Sequence, residues 1–495
     1  MRARPSRCRR PRPRLRRFPW RHRWRGCASD HFTVSRPKRC RACTRRYNDW
    51  RAQSARASPM ETVLITALDQ EGRGIARIDG KAVFVDGALV GERVVVEVYR
   101  RKPNYERARA VDIVRASPSR VVPPCPHFGV CGGCSLQHLE PSAQVAVKQR
   151  VLEDALWHIG RVRADELLAP IHGPPWGYRQ RARLSVRDVP KKGGVLVGFH
   201  ERKSSFVTDM LCCPVLPPHI SSLLPALRAL VAGLSLRARL PQIELAVGDD
   251  DADGTGNEVL VLRNLAALTA ADERSLVAFA ERHGMRLYLQ PAGPASVQAF
   301  HPPARKLGYA LPEFGVHIAF APTDFTQVNT AMNRVLVRRA IGLLGPSADD
   351  RVADFFCGLG NFTLPVARRG AQVVGVEGSA PLVRRAQANA EANALTGRAR
   401  FVAADLFEAT AASIEALGPI DKALLDPPRE GAIALVKALP EARLCRVVCV
   451  SCNPATLARD AAVLVHERGF TLRAAGVVNL FPHTAHVESI ALFTR

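Results

Sequence analysis

Cys452 is the residue whose type and neighbours are best suited to covalent chemistry. It follows the apolar run VVCVS and precedes Asn453 and Pro454, so the pattern predicts a buried strand that ends at the thiol and a helix that begins near Ala455. A thiol beside a helix N-terminus is predicted to have a lowered pKa and to react as a thiolate. The segment therefore predicts a nucleophile that bonds covalently to its substrate.

Glu488 is the predicted base that accompanies this nucleophile. It lies in FPHTAHVES, a polar and aromatic segment that precedes the apolar run SIALF, the predicted terminal strand. Covalent catalysis by a thiol needs a separate base where a proton must be removed before the thiol can leave. Taken alone, this carboxylate could equally be an ordinary surface charge. Cys445 and Cys449, in the same apolar region as Cys452, are predicted to be buried and inert.

A glycine-containing turn marks a predicted cofactor site. The apolar run VADFF leads into CGLGNF, in which Gly358 and Gly360 allow a tight turn and a close approach of the backbone to a ligand. A complete dinucleotide-binding fingerprint would need a third glycine at the position of Thr363. The turn therefore disfavours hydride transfer with NAD, although two glycines alone are weak evidence for any cofactor.

Three acidic residues follow the next apolar runs of the same region. Glu377 ends QVVGVE, where a carboxylate can accept hydrogen bonds from both hydroxyls of a ribose. Asp405 ends the following strand, in position for an adenine edge, and Asp426 ends the fourth within LLDPPREG. Because ligands of such sheets bind beyond the carboxyl ends of the strands, these residues are predicted to share one crevice.

Three closely spaced cysteines predict a metal site. Cys125, Cys131 and Cys134 form a C-x5-C-x2-C pattern, and a fourth thiol would come from Cys213 or its competitor Cys212. Four thiolates can hold an iron–sulfur cluster or a zinc ion, and a Cys followed by Pro recurs among iron–sulfur ligands. The total of thirteen cysteines is odd and no secretory signal is present, so the pattern disfavours a disulfide framework and favours the reducing cytoplasm.

The surrounding elements predict an α/β protein with four regions. Residues 60–118 contain short apolar runs separated by glycine turns, which is typical of a small β-barrel, and residues 119–317 form a mixed α+β region that carries the cysteines. From residue 318 to 495, buried strands alternate with helices, as in a Rossmann-like doubly wound sheet. No apolar run is long enough for a membrane span, so none is expected.

The net charge of +26 favours a nucleic-acid partner and is very unevenly distributed. Residues 1–59 hold twenty Arg and Lys against only Asp30 and Asp49. This segment cannot bury enough apolar surface to fold alone. It is interpreted as a mis-assigned start, with Met60 as the true first residue, as a disordered RNA-binding arm, or as a transit peptide.

Five motifs resemble those of the RNA uracil-C5 methyltransferases, and the resemblance extends from about residue 60 to residue 495. The motifs are DFTQVN (324–329), DFFCGLGNFTLPVA (354–367), LLDPPREG (424–431), SCNPATLARD (451–460) and FPHTAHVES (481–489). The resemblance implies that Cys452 attacks C6 of a uracil and that Glu488 removes the C5 proton after methylation by S-adenosylmethionine. Arg429 would orient the uracil or a phosphate, or otherwise form a helix-cap salt bridge.

The resemblance also implies which residues bind cofactors. S-adenosylmethionine would contact Gln327, Phe356, Asn361, Glu377 and Asp426, with a weaker match at Asp405, where relatives often have Asn. A [4Fe–4S] cluster would be held by Cys125, Cys131, Cys134 and Cys213, in a structural or RNA-positioning role.

The combination of barrel, cysteine cluster and methyltransferase region resembles the bacterial members that modify 23S ribosomal RNA. The first region resembles a TRAM domain, an OB-like RNA-binding module. The basic runs at 100–109 and 178–187 are candidates for tracking phosphates, or else solvated strand faces. The expected protein is a cytoplasmic monomer. The alternatives are a tRNA uracil-C5 methyltransferase, a non-catalytic RNA-binding assembly factor and an iron–sulfur electron carrier.

Overall fold

The computed structural model describes residues 61–249, 257–303 and 306–495, which form four β-sheets with helices packed on them. The predictions made above for residues 1–59 lie outside the described residues. Within the described ranges, no helix has both the length and the apolar character that crossing a membrane requires.

The first sheet contains six short strands separated by turns, as the apolar runs predict. They are β1 (Glu61–Leu64), β2 (Ala67–Leu68), β3 (Gly74–Ile78), β4 (Lys81–Asp86), β5 (Arg93–Arg101) and β6 (Tyr105–Arg115). Their order is β1-β5-β6-β4-β3-β2, and only β4 and β6 pair in parallel. Val83, Val85, Val94 and Val96 alternate along their strands and are buried in a separate small core. Closure of this sheet into a barrel stays a prediction.

A long helix follows the cysteine-rich loop. Helix α1 (Pro141–His158) begins after Glu140, whose carboxylate accepts hydrogen bonds from the amides of Ser142 and Ala143. A two-residue strand, β7 (Glu166–Leu167), comes next.

The second six-stranded sheet carries two helices on its surface. Its elements are β8 (Arg181–Val189), β9 (Gly194–Gly198), α2 (Pro218–Gly233), β10 (Gln242–Val247), β11 (Glu258–Leu262), α3 (Ala270–His283), β12 (Arg286–Leu289) and β13 (Gln298–His301). The strand order is β13-β12-β11-β10-β8-β9. Apolar side chains from both helices and from the strands form one core.

A hairpin and a helix lead into the C-terminal region. Strands β14 (Leu307–Leu311) and β15 (Val316–Phe320) pair only with each other, and helix α4 (Thr330–Leu344) follows. Side chains of the hairpin join the core of the C-terminal sheet. The predicted domain boundary between residues 317 and 318 thus falls inside β15.

The C-terminal sheet has the predicted doubly wound character. Its elements are β16 (Arg351–Phe355), α5 (Thr363–Arg368), β17 (Gln372–Glu377), α6 (Ala380–Ala392), β18 (Ala399–Ala403), α7 (Ala411–Glu415), β19 (Lys422–Leu425), α8 (Ile433–Ala438), β20 (Arg446–Ser451), α9 (Pro454–His466), β21 (Thr471–Val478) and β22 (Glu488–Thr494). The order is β18-β17-β16-β19-β20-β22-β21-β7, in which β22 is antiparallel to both of its neighbours. Its strands begin and end close to the positions that the apolar runs predict.

Both faces of this sheet are covered, which is why its strands read as continuous apolar runs. In β20, Val448 and Val450 belong to one core, while Val447 and Cys449 belong to the core on the opposite face. The prediction that Cys449 is buried is therefore confirmed. The same prediction is wrong for Cys445, which is exposed because it lies in the loop before β20.

Two elements from the region predicted as a central domain pair with or pack on the C-terminal sheet and its helices. Strand β7 pairs in parallel with β21 at the sheet edge, and helix α1 packs against α9. The strands between residues 119 and 317 are thus divided among the second six-stranded sheet, the β14-β15 hairpin and the C-terminal sheet. This arrangement brings α1 close to the segment that precedes β22.

Candidate active site

Cys452 and Glu488 meet at one edge of the C-terminal sheet because neighbouring strands run in opposite directions. Cys452 follows Ser451, the last residue of β20, and Glu488 is the first residue of β22. Ser451 pairs with Ser489 in the antiparallel ladder, so the end of one strand lies beside the start of the other. The two residues predicted to be nucleophile and base are therefore brought together.

The environment of the Cys452 thiol differs from the prediction. Burial, with the charges of Glu488 and Asp426, raises the pKa of Cys452 to about 11, against a lowering by the Arg429 guanidinium. The pKa is therefore raised and not lowered as the helix N-terminus predicted, and burial is the largest cause. That terminus is also capped locally, since the Asn453 side chain accepts the amide of Ala455 at 3.1 Å.

Arg429 connects the turn after β19 to Cys452 and to His486. Its guanidinium hydrogen-bonds the Cys452 sulfur and lies 3.1 Å from Nδ1 of His486. Its backbone carbonyl accepts hydrogen bonds from Asn453 Nδ2 at 2.9 Å and from Thr456 Oγ1 at 3.3 Å. These hydrogen bonds consequently fix the turn after β19 beside the Cys452 thiol.

Glu488 is a carboxyl group almost completely enclosed by protein, with an exposed fraction of 3%. Burial and the charge of Asp426 raise its pKa well above the usual range, and the charge of Lys148 opposes that shift. A raised pKa makes the ionised carboxylate a stronger base for a proton on carbon, and it also keeps more of the Glu488 carboxyl groups protonated.

The glycine turn after β16 forms a cradle closed by Glu377. Gly358 and Gly360 have φ angles of +54° and +94°, which residues other than glycine rarely adopt. The amide of Gly358 donates to Glu377 Oε2 at 3.2 Å, and the amide of Ser379 donates to Oε1 at 2.9 Å. A Cβ on Gly358 would meet nothing within 4 Å, so the backbone here faces open space.

Four carboxyl groups concentrate negative charge around this cradle. Burial raises the pKa values of Asp354 and Asp426 to about 7, and the charges of Asp426 and Glu377 contribute to the shift at Asp354. With Glu488, these groups favour a ligand that carries positive charge, such as a sulfonium. Asp354 was not among the predicted site residues, although its place in DFFCGLGNF could have revealed it; it accepts a hydrogen bond from the Thr363 hydroxyl.

The structure places the other predicted cofactor contacts unequally. The Asn361 side chain is already occupied, because its Oδ1 accepts from Tyr309 and Asn333 and its Nδ2 donates to Asn333 Oδ1, all within 2.9–3.0 Å. Phe356 has a φ of +63° and its ring lies 5.8 Å from that of Phe407. The Nδ2 group has a second N–H, so this hydrogen and the backbone of Asn361 remain available to a ligand.

Asp405 and Gln327 complete the predicted set. Asp405 is exposed, lies two residues beyond the end of β18 and accepts the amide of Phe407 at 2.9 Å. Gln327 is partly buried in the loop between β15 and α4.

The four predicted cysteine ligands lie near one another. Burial and the charges of Cys131 and Cys125 raise the pKa of Cys134 to about 11. Burial, with the charges of Cys134 and Cys131, likewise raises the pKa of Cys213 to about 12. The thiols are therefore close enough to interact electrostatically. Among the described residues, however, no group of three or more His, Cys, Asp or Glu side chains is arranged to hold a metal ion as it stands.

Backbone amides point at two of these sulfurs. The amide of Gly133 donates to Cys131 Sγ at 3.4 Å, and the amides of Val215 and Leu216 favour the thiolate form of Cys213. Hydrogen bonds of this kind stabilise thiolates and tune iron–sulfur clusters.

Comparison with known proteins agrees with this arrangement of domains. The family described as tRNA (Uracil-5-)-methyltransferase matches residues 315–495, and the TRAM domain matches residues 60–111. The chain is 62% identical over 438 residues to the 23S rRNA (uracil(1939)-C(5))-methyltransferase RlmD of Aromatoleum aromaticum, covering 88% of this chain and 100% of the relative. The chain belongs to the RlmD family.

Further relatives of the same description resemble the chain over similar lengths. RlmD of Azoarcus sp. is 61% identical over 438 residues, and RlmD of Nitrosospira multiformis is 59% identical over 436 residues; they are covered to 100% and 98%, and each match spans 88% of this chain. The solved structure of the Pyrococcus abyssi tRNA (uracil-54, C5)-methyltransferase, in complex with S-adenosyl-L-homocysteine, superposes with a TM-score of 0.65. It covers 88% of this chain and all of the archaeal chain at 23% identity, which shows a shared fold.

Besides Asp354, sequence reasoning missed a second titratable group of this RlmD-family site. Lys148, in the middle of α1, is 1% exposed and lies near Glu488, whose charge acts on it. No local pattern distinguishes this lysine from the other charged residues of α1. Its position becomes evident only when α1 packs against the C-terminal sheet.

Proposed function

We propose that the protein methylates C5 of one uridine in 23S ribosomal RNA, with S-adenosylmethionine as the methyl donor. The observation that carries this proposal is the meeting of Cys452 and Glu488 beside an acidic, glycine-lined crevice at the switch between β16 and β19. The names of the RlmD relatives support position 1939 as the equivalent target.

The first step assigned to the chain is nucleophilic attack. When bound, S-adenosylmethionine supplies an electrophilic methyl group on a positively charged sulfur. Cys452, as the thiolate, forms a bond to C6 of the uracil, and the electron pair released toward C5 makes that carbon nucleophilic. Arg429 stabilises the thiolate by its charge and its hydrogen bond to the sulfur. C5 then takes up the methyl group, and the bond between that group and the donor's sulfur breaks to leave a neutral thioether.

The second step restores the aromatic base and the free thiol. Glu488 accepts the proton from C5, the C5–C6 double bond re-forms, and the C6–sulfur bond breaks to return the Cys452 thiolate. The raised pKa of Glu488 suits it for this transfer. The uridine must leave its stack to reach the thiol at the sheet edge, so the enzyme flips it out.

The residues around the glycine turn fit the methyl donor through their charge and their hydrogen-bonding groups. Glu377 would bind the ribose hydroxyls, and Asp426 with Asp354 would face the positive charge. Phe356 and Gln327 would line the site, Asn361 would contribute its backbone, and Asp405 would contact the adenine.

We also propose that Cys125, Cys131, Cys134 and Cys213 hold a [4Fe–4S] cluster. The mutual charges of the thiols and the amides directed at Cys131 and Cys213 support this assignment. Four thiolates can hold either a cluster or a zinc ion, and the proline that follows Cys213 favours the cluster. The chemistry above needs no electron, so the cluster would have a structural role.

Cys212 provides a matched control for the cluster. We expect Cys213→Ser to lose most of the iron and the visible absorbance of the anaerobically purified protein, and Cys212→Ser to keep both. Loss of iron from the Cys212 variant alone would reverse the assignment. Bound zinc without iron or sulfide in the unaltered protein would contradict the cluster.

The RNA-binding role extends to the first sheet and to the basic strands. The TRAM domain supports RNA binding by residues 60–111. The run at 178–187 includes Arg179, whose guanidinium lies 5.5 Å from the ring centre of Phe199. We place the enzyme in the cytoplasm. We also propose that it is a monomer, and light scattering of the purified protein would test its oligomeric state.

Transfer of labelled methyl groups tests the central proposal. We expect label from S-adenosylmethionine on a uracil of unmodified 23S RNA fragments, no transfer by Cys452→Ala, and a covalent RNA adduct trapped by Glu488→Gln. Cys445→Ala is the control, because this exposed cysteine lies outside the site. Label on tRNA alone would reassign the substrate, and no transfer to either RNA by folded protein would refute the activity.

A further inference from the structure

Lys148 is a buried ammonium group, and burying its charge costs free energy unless another charge compensates for it. Its Nζ donates to Asn479 Oδ1 at 2.7 Å and to the carbonyl of Phe481 at 2.8 Å. Both acceptors are neutral, and a neutral donor would satisfy them without the penalty of burying a charge. Burial accordingly lowers the pKa of Lys148 to about 7, and the charge of Glu488 opposes this shift.

We propose that Lys148 is the positioning residue for the base of the reaction: it holds the turn before β22, and its positive charge keeps Glu488 able to accept the C5 proton. This inference rests on the function proposed above. It assigns Lys148 to proton removal and release of the RNA, and not to the attack by Cys452.

The charges around Glu488 explain why a cation is needed there. Asp426 raises the pKa of Glu488, and among the charges of the described residues only Lys148 is found to lower it. No ion pair joins Lys148 to Glu488 within the described part of the chain, so the ammonium acts through its field and through the turn that it holds. The other titratable or charged groups that face this pair are Cys452, Arg429, His483 and His486.

The two histidines do not replace this cation. Burial lowers the pKa values of His483 and His486 to about 4, and the charge of Lys148 contributes to both shifts. They are therefore neutral at the pH where the enzyme works. Arg429 is directed at the Cys452 sulfur and at His486. Lys148 is thus the cation assigned to Glu488.

Helix α1 also offers a neutral counterpart that holds the same segment. Gln144 lies one turn before Lys148 on the same helical face. Its Oε1 accepts the amide of His483 at 2.7 Å, and its Nε2 lies 3.2 Å from Nδ1 of that residue. Gln144 therefore separates the effect of holding the segment from the effect of charge.

The test compares two steps of the reaction in three variants: Lys148→Met, Lys148→Arg and Gln144→Met. RNA with 5-fluorouridine at the target reports attack and methyl transfer without proton removal, since the methylated adduct has fluorine where the C5 proton would be, fluorine cannot leave as a cation, and the adduct persists. Unmodified RNA reports release of the methylated product. Both rates are measured from pH 6 to pH 9 with bound RNA and methyl donor at saturation.

We expect Lys148→Met to form the fluorinated adduct within about threefold of the wild-type rate. With unmodified RNA, it should release product at least about tenfold more slowly at pH 7, so that methylated covalent adduct accumulates. The acid limb of the release profile should move to higher pH, because Glu488 without its cation holds its proton more strongly. Lys148→Arg should release product at close to the wild-type rate, and Gln144→Met should change rates without moving the profile.

Release by Lys148→Met at the wild-type rate and pH profile would refute the inference, as would an equal loss of both steps. If Lys148→Met does not fold, the comparison uses Lys148→Arg and the uncharged variant Lys148→Gln. A wild-type acid limb in the release profile of Lys148→Arg supports the role of the charge. An acid limb shifted as far in Lys148→Arg as in Lys148→Gln contradicts it. Failure of the unaltered enzyme to form the fluorinated adduct or to transfer methyl groups would instead refute the proposed function.

Discussion

Replacing Arg429 with methionine should slow the attack of Cys452 without abolishing it. With a pKa of about 11, the thiol is ionised in roughly one molecule in a thousand at pH 8. Arg429 is largely exposed, so solvent screening reduces its effect to about 0.7–1.4 kcal/mol, below that of a buried charge-assisted hydrogen bond. That range corresponds to a roughly three- to tenfold smaller thiolate population.

Adduct formation with 5-fluorouridine RNA measures attack together with methyl transfer, and it excludes proton removal and release. At saturating RNA and methyl donor, we expect the first-order rate for Arg429→Met to be about three- to tenfold lower than wild type between pH 7 and pH 9. Both rates should rise about tenfold per pH unit, because the thiolate fraction does so well below the pKa. Arg429→Lys should recover part of the rate, since it keeps the charge but not the planar hydrogen-bonding group.

Arg443→Met is the matched control for loss of one exposed positive charge. Arg443 pairs with Asp421 at 2.8 Å, outside the proposed site, so its removal should leave the rate unchanged. An unchanged rate for Arg429→Met at saturating RNA, together with weaker RNA binding and a smaller salt dependence, would refute the reasoning. Arg429 would then be a phosphate contact.

Three further predictions concern the acidic crevice. Asp426→Asn should raise the free energy of unfolding, measured by urea denaturation, by about 1–3 kcal/mol at pH 8 and by less at pH 5. The folded-state pKa of about 7 exceeds the unfolded value, so the wild-type protein loses stability as pH rises between these values, and the Asn variant does not. A gain independent of pH would contradict this. Affinity for S-adenosylmethionine, measured by calorimetry, should rise several-fold from pH 6 to pH 8 as Asp354 and Asp426 lose protons, and a flat profile would argue against their facing the sulfonium. Glu377→Ala should weaken that affinity about 10- to 100-fold while leaving RNA affinity intact, and an equal loss of both would indicate misfolding.

Much of the site could be predicted because each buried parallel strand is a continuous apolar run, and the end of the run marks the end of the strand. VADFF, QVVGVE, KALLDPP and RVVCVSC coincide with observed strands, so the residues after them share one edge of the sheet. The sequence could not predict the pKa of Cys452, since the helix N-terminus is a local feature whereas burial depends on the surrounding fold. It also could not show that the Asn361 side chain is occupied by Asn333 and Tyr309, which come from separate elements.

The sequence by itself determined the order of strands and helices along the chain, the type of chemistry available to a thiol and a carboxylate, and the family. Only the tertiary structure decided that β22 runs antiparallel beside β20, which places Glu488 next to Cys452. It alone carried Lys148 to the same place from a helix far upstream. Local patterns report backbone direction and burial along one element, whereas proximity and electric field depend on packing between elements distant in the chain.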